Sequence, residues 1–247
     1  MGIMKFFIKR KSNIITKTAF RSAFLIVSAF AVFIPETFAA EKDKGAIEQT
    51  TPKDSLFTAR TVFEKIHTSA LEILPVTTRL DMLDYWDVDS VYKASNVMEG
   101  LSWLESLTPD YLKVIITPVS SLEIKILPLK HSKLVMTVYT IGDDVQAQDS
   151  QIKFYDENLI ELPSEKYFVY PRVKDFFEIP KGSATKMKEI EEMIPFPTIA
   201  FTANQHNNNL EARLTVEQYI NQDDWNIAKL FLKPSITLKW EKEKYKY

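Results

Sequence analysis

The sequence predicts an α+β domain: short N-terminal helices, an antiparallel β-meander, then a helix, a hairpin, a second helix and a final strand. Three observations lead there. Apolar residues recur at helical spacing between Leu56 and Trp86, and the period drops to two from Leu101 onward. The period-two segments are divided by the turn-forming stretches "PVSS", "KHS" and "GDDVQAQD".

The chain opens differently. Lys5, Lys9, Arg10, Lys11, Lys17 and Arg21 precede Ala23 to Ile34, which is apolar except for Ser28 and closes at Pro35. Thr37 and Ala39 follow at small-residue spacing. Basic, apolar, small is the order of a secretory signal peptide, with residues 1–39 as the signal and cleavage near Ala39. A bilayer-spanning helix needs about 20 apolar residues; the stretch from Ala23 to Ile34 is shorter, and no later window is long or apolar enough. Residues 40–55, including "EKDKGAIEQTTPKDS", are polar and unpatterned and read as a flexible leader. That leaves 56–247 as one α+β domain.

Loss of the signal removes six of the 31 basic residues and one of the 33 acidic ones, leaving a net charge of −7. Such a chain does not gather phosphate backbones, so nucleic acid is excluded as an expected partner. Cysteine is absent. The domain must therefore rest on its apolar core, which its length allows. A thiol nucleophile, a Cys-ligated zinc and a Cys-linked lipid are ruled out with it. The expectation is an exported bacterial protein, periplasmic or extracellular.

Element by element, "LFTARTVFEKIHTS" sets Leu56, Val62, Phe63 and Ile66 on one stripe, as a helix requires. "ALEILPV" is a short helical turn ended before Pro75, and "TTRLDMLDYWDVDS" is a third helix with Thr77 or Thr78 as its cap. "YLKVIIT", "SLEIKILPL", "SKLVMTVYTI" and "SQIKFYD" form a four-stranded meander. Within it Leu122, Ile124 and Ile126 alternate with Glu123 and Lys125, the pattern of a strand with one wet face. "SEKYFVYPRVKDFF" is an aromatic-rich connection and "SATKMKEIEEMI" a charged helix. "FPTIAFTANQHNNNLEARLTVEQYI" is a hairpin over an Asn-rich turn, "NQDDWNIAKLFLK" a helix capped by Asn221 or Asp223, and "SITLKW" the last strand, with a Lys-rich tail expected to fray.

"LTPDYLKVIITPVSSLEIKILPL", "DSQIKFYDENLIEL" and "LFLKPSITLKWEKEKYK" together resemble the domain-of-unknown-function family three-two-five-six, secreted proteins of Bacteroidales-type bacteria. The likeness lies in the Thr-Pro-Asp lead into the first strand, the "SSLEIKILPL" strand and the Asp-Ser start of "DSQIKFYD", and runs from about Leu56 to the C-terminus. It implies export and a common fold, and carries no activity or site residue with it. The "NQHNNN" stretch departs from the family pattern.

Candidate chemistry is sparse. Asp149 and Asp156 bracket one strand and stand roughly 20 Å apart at about 3.3 Å per residue, too far to share a metal. Asp156, Glu157 and Asn158 read as a turn. In "DMLDYWDVDS", Met82, Leu83 and Trp86 share one arc and Asp81, Asp84 and Asp87 the opposite one: an amphipathic helix with a solvated acidic face. Asp87 and Asp89 begin a calcium-loop pattern that Val91 and Tyr92 break. His67, His131 and His206 are isolated and form no zinc motif, so no metal site is expected. Gly45, Gly100, Gly142 and Gly182 are too scattered for a phosphate-cradling loop. No cofactor is expected, and no nucleophile elbow is present. Glu123, Asp143, Asp144 and Glu211 are the scattered carboxylates from which a hydrolase would have to draw an acid–base pair.

The aromatic connection stands out. Tyr167, Tyr170, Arg172, Phe176 and Phe177, with Phe168 among them, combine rings and a guanidinium, the composition of binding surfaces. They are the candidate ligand-binding residues, set against the alternative that the rings cover the sheet as core. The reading that follows is a non-enzymatic binding module of the bacterial envelope, taking a protein or glycan partner. A hydrolase of an envelope or dietary polymer, working through paired carboxylates, is the alternative.

Overall fold

The structure, a computed structural model, describes residues 57–247 apart from 89–91, 144 and 181. The expected signal and leader, Leu56, and the Asp89, Val91 and Asp144 readings lie outside the described residues.

Three layers stack around a central sheet. Helices α1 (Ala59–Lys65) and α2 (Val76–Asp87) cover one face. Thr58 caps α1: its hydroxyl accepts the Thr61 N–H, and the Thr61 hydroxyl accepts the Thr58 N–H in return. A single 3-10 turn, Ser69–Leu71, links the helices. The predicted Thr cap of α2 is not used; the helix begins one residue earlier, after Pro75, whose fixed φ suits a helix start. Its buried residues are Arg79, Met82 and Leu83, and Trp86 is exposed. The acidic face is as expected, except that Asp87 takes a bidentate bond from Arg60 at 2.8 Å on each oxygen.

The central sheet is an antiparallel meander of seven strands rather than four. β1 (Ala94–Ser95), β2 (Leu101–Leu107), β3 (Tyr111–Thr117), β4 (Ser120–Pro128), β5 (Lys133–Ile141), β6 (Asp149–Tyr155) and β7 (Glu161–Leu162) pair in chain order. β2, "LSWLESL", escapes the period-two test because a bulge between Leu104 and Ser106 breaks its alternation. β1 and β7 are two residues each, too short to carry a pattern.

A second antiparallel sheet covers the other face. β8 (Ile199–Ala203), β9 (Leu210–Leu214), β10 (Ile236–Glu241) and β11 (Lys244–Lys246) lie in the order β11-β10-β9-β8. Helix α3 (Ala184–Met193) precedes this sheet, and α4 (Gln222–Ala228) crosses between β9 and β10. Asn221 caps α4, accepting the Asp223 and Asp224 N–H groups. The C-terminal tail does not fray. Lys242 and Glu243, both at positive φ, turn the chain so that β11 pairs with β10 and Tyr245 is buried. Turns of that left-handed kind match the twist of hairpin strands.

Covering both faces changes the meaning of the strand pattern. On β5, Leu134, Met136 and Val138 pack toward the second sheet, while Val135 packs toward the helices. On β4, Leu122, Ile124 and Ile126 share one buried face, as their alternation predicts, and that face packs with the helices. The intervening face, read as wet, is not: Glu123 is 5% exposed and Lys125 is 1% exposed. Both lie beneath the second sheet. Period two reports which side a residue takes, not whether that side meets water.

Candidate functional site

The predicted ligand-binding residues separate into two groups. Tyr167, Phe176 and Phe177 are buried in the core between the two sheets, where Tyr167 tilts against Phe154 with centroids 5.3 Å apart. Phe177 forms a bridge to Leu232, and the Tyr167 carbonyl accepts the Tyr245 N–H. These rings are core and cannot face a ligand, which corrects their surface assignment. The segment carries more apolar area than a surface connection needs because it closes the gap between sheets. Tyr170 and Arg172 do reach the surface. Arg172 is exposed and lies 3.8 Å from the Asp175 carboxylate, whose other bonds are to the Arg172 N–H and the Tyr247 hydroxyl.

Tyr170, 48% exposed, lies in a cleft of about 500 Å³ at the edge of β6, whose walls include Tyr139, Asp149, Gln151, Pro197 and Ile199. The edge is open there because β7 pairs only with Phe154 and Tyr155. The Tyr170 hydroxyl takes over the missing strand's work by accepting the Ile152 N–H at 3.4 Å, while the Ser164 hydroxyl donates to the Ile152 carbonyl. Its ring is held edge-on by Phe168 at 4.8 Å and Phe201 at 5.7 Å. Burial, with Asp149 nearby, pushes the Tyr170 phenol above its ordinary range against the lowering effect of the Ile152 N–H. Beside Pro197, Phe196 is 80% exposed, its carbonyl accepting from the Tyr219 hydroxyl. A preset tyrosine, a second tyrosine and an amide thus gather around one concavity.

A larger cleft, about 900 Å³, lies at the β4–β5 turn and includes Phe57, Asp110, Lys130, His131, Lys133 and Glu157 among its walls. Its two acids are both engaged. Asp110 accepts from the Lys125 ammonium at 2.7 Å and from the Thr108 hydroxyl at 3.1 Å. Burial raises the Asp110 carboxyl, but Lys125 and Thr108 outweigh it and hold it below its usual value. Glu157 accepts the Lys133 N–H at 3.0 Å.

Among the described residues, the acids named for hydrolysis do not converge. Glu211 is on the exposed face of β9, and Asp143 caps the Val145 and Gln146 N–H groups in the β5–β6 loop. Among the described residues, no group of three His, Asp or Glu side chains is arranged to hold a metal. His67 and His131 line separate pockets, and the His206 N–H is tied to Asn204.

Asp149 and Asp156 sit at opposite ends of β6, as expected. Asp156 makes the turn, accepting the Asn158 and Ile160 N–H groups. Asp149 has a role that no local pattern encodes. It accepts the Ile199 N–H at 3.1 Å, the Ser150 hydroxyl accepts Phe201 N–H at 3.0 Å, and Glu123 accepts Ala203 N–H at 2.7 Å. These three donors alternate along β8, the edge strand of the second sheet, on the side that β9 leaves free. Side chains of the first sheet thus satisfy the edge of the second and close it to further pairing. Burial pushes the Glu123 carboxyl up to about 7, an effect moderated by the Ala203 N–H and by Lys113 and reinforced by the Glu105 charge.

Among the described residues, no helix is long and apolar enough to cross a membrane. A solved structure, that of a domain of an uncharacterized protein from Porphyromonas gingivalis W83, shares the fold with a TM-score of 0.63 and 20% sequence identity, covering 76% of this chain and 96% of that one. No curated protein matches the chain. The meander and all but the last residue of the covering sheet fall within residues 56–245, the span that matches the model of the family described as "Protein of unknown function (DUF3256)", and the chain belongs to that family.

Proposed function

We propose that this domain is a non-enzymatic binding module of the bacterial envelope, exported by its signal segment, and that an envelope glycan or protein seats in the aromatic cleft at the edge of β6. The observation that carries this reading is the half-exposed Tyr170 ring, held in place by Phe168, Phe201 and the Ile152 N–H on the wall of a cleft. A rigid aromatic anchor loses little freedom on binding, and such anchors concentrate interface energy. Tyr139, Pro197 and Ile199 extend the apolar surface, and the Gln151 amide supplies hydrogen bonds beside it. The hydrolase alternative has less support, because the acid with the raised pKa, Glu123, is sealed under the second sheet.

The test is saturation binding of the full chain to purified envelope glycan and to solubilised envelope protein, compared with Tyr170→Ala and Tyr170→Phe. Loss of the ring should weaken binding about tenfold or more, as expected for a central aromatic. The Phe variant keeps the ring and should bind nearly as the parent does. Equal binding by the Ala variant with its circular dichroism unchanged would remove the cleft from consideration.

A further inference from the structure

Arg79 sits on the buried face of α2 with 3% of its surface exposed. Its Nη1 donates to the carbonyls of Phe63 and, at 3.0 Å, Ile66, the unpaired end of α1, and its Cζ lies 5.7 Å from the Phe63 ring centroid. This caps a helix C-terminus with a cation, a favourable use. It leaves two things unexplained. Arg79 has no carboxylate partner among the described residues, and its Nε, sealed from water, has no hydrogen-bond acceptor. A buried guanidinium served only by neutral carbonyls on one nitrogen retains an uncompensated charge. Arg79 is also part of the wall of a pocket of about 370 Å³, together with Ile66, His67, Thr68, Ser69 and Glu72.

The geometry points to this pocket as a binding site for the carboxylate of a small organic acid. With Nη1 committed to α1, the Nε–Nη2 edge is the fork left for a bidentate partner, and a planar carboxylate matches that fork. Ser69 and His67 are exposed and Thr68 is half-buried, and a carboxylate reaches the sealed Nε by displacing side chains of this wall. Ser69 and Thr68 hydroxyls and the His67 ring are available donors to the same oxygens. Glu72 stands at the exposed rim, and its charge disfavours a phosphate dianion more than a monovalent carboxylate. The pocket lies on the helical layer, away from the aromatic cleft, so the inference does not rest on the proposed envelope ligand.

The test uses the full chain with specific labelling of arginine side-chain nitrogen, titrated with acetate at ionic strength held constant by chloride, and with inorganic phosphate in parallel. Acetate should move the Arg79 Nε–H resonance saturably and raise the midpoint of unfolding with concentration, as a ligand bound to the native state must. Phosphate should bind about tenfold more weakly or worse, given the planar fork and the Glu72 charge. Ser69→Ala, an exposed site that leaves the helix cap intact, should weaken acetate about threefold, the scale of one neutral hydrogen bond. Arg79→Lys tests the fork itself and should abolish the acetate response if the variant folds. An Arg79 resonance that does not move with acetate, or moves equally with chloride, overturns the proposal. Phosphate binding tighter than acetate overturns the carboxylate assignment.

Discussion

Glu123→Gln should stabilise the domain at neutral and alkaline pH and leave it nearly unchanged in mild acid. The Glu123 carboxyl is raised from 4.5 to about 7, burial being the first cause. Below 4.5 the folded and unfolded chains both hold the proton, and the group costs nothing. Between 4.5 and about 7 the unfolded chain releases it while the folded chain keeps it, so stability falls as pH rises. Above that window both are ionised and the penalty is complete. Each pH unit between the two values corresponds to about 1.4 kcal/mol, which makes the penalty about 3 kcal/mol. Glutamine keeps an oxygen to accept the Ala203 N–H and carries no charge. At about 2–4 °C per kcal/mol for a domain of this size, the variant should melt about 6–12 °C above the parent near pH 8. The two should converge near pH 4.5, below which neither form of the group is charged. The assay is calorimetric or urea unfolding of both proteins across that range. Parallel pH profiles would refute the reasoning, showing that Glu123 is ionised in the fold or reached by water.

Asp110→Asn should cost about 2 kcal/mol, because it strands the buried Lys125 ammonium; the exposure of Asp110 keeps the loss below that of a fully buried pair. Lys125→Met should cost less, and urea midpoints of the two variants decide the order. Phe176→Ala removes a fully buried ring and should cost about 3–5 kcal/mol, whereas Arg172→Ala, at the surface, should stay within about 0.5 kcal/mol; equal midpoints would place Phe176 outside the core. Tyr170→Phe loses the acceptor for the Ile152 N–H and should cost about 1 kcal/mol, measured as amide exchange at Ile152 as well as by melting. Lys242→Asn, at φ 51° in the β10–β11 turn, should gain up to about 0.5 kcal/mol, since Asn tolerates that conformation better than Lys.

How far the chain could be read depends on whether the deciding interaction was local. Asn221 as a cap, Asp156 as a turn former and the alternation of β3 to β6 act within a few residues, so spacing and side-chain chemistry exposed them. β2 was missed because its bulge erases the local period, and β11 because Lys and Glu at positive φ carry no turn signature. The aromatic connection was recognised as unusual, but its division into core and surface was not legible. Tyr167, Phe176 and Phe177 are buried by strands that begin more than 20 positions later or lie earlier in the chain, and Tyr170 is left at the rim by the shortness of β7.

By itself the sequence determined the class of fold and the order of most elements, because these follow from periodicity, capping and turn chemistry; membership of the family rests instead on the match of residues 56–245 to the family's model. Tertiary structure alone decided what the polar residues of the meander do. Glu123, Lys125, Asp149 and Ser150 look like the wet side of an open sheet until β8 is laid across them. Once it is, three become edge caps, one of them a buried acid, and the fourth a buried cation. The physical reason is that alternation encodes only a side. Solvent or a second sheet on that side is settled by residues 75 and more positions away in the β4 case, and no local pattern carries that information.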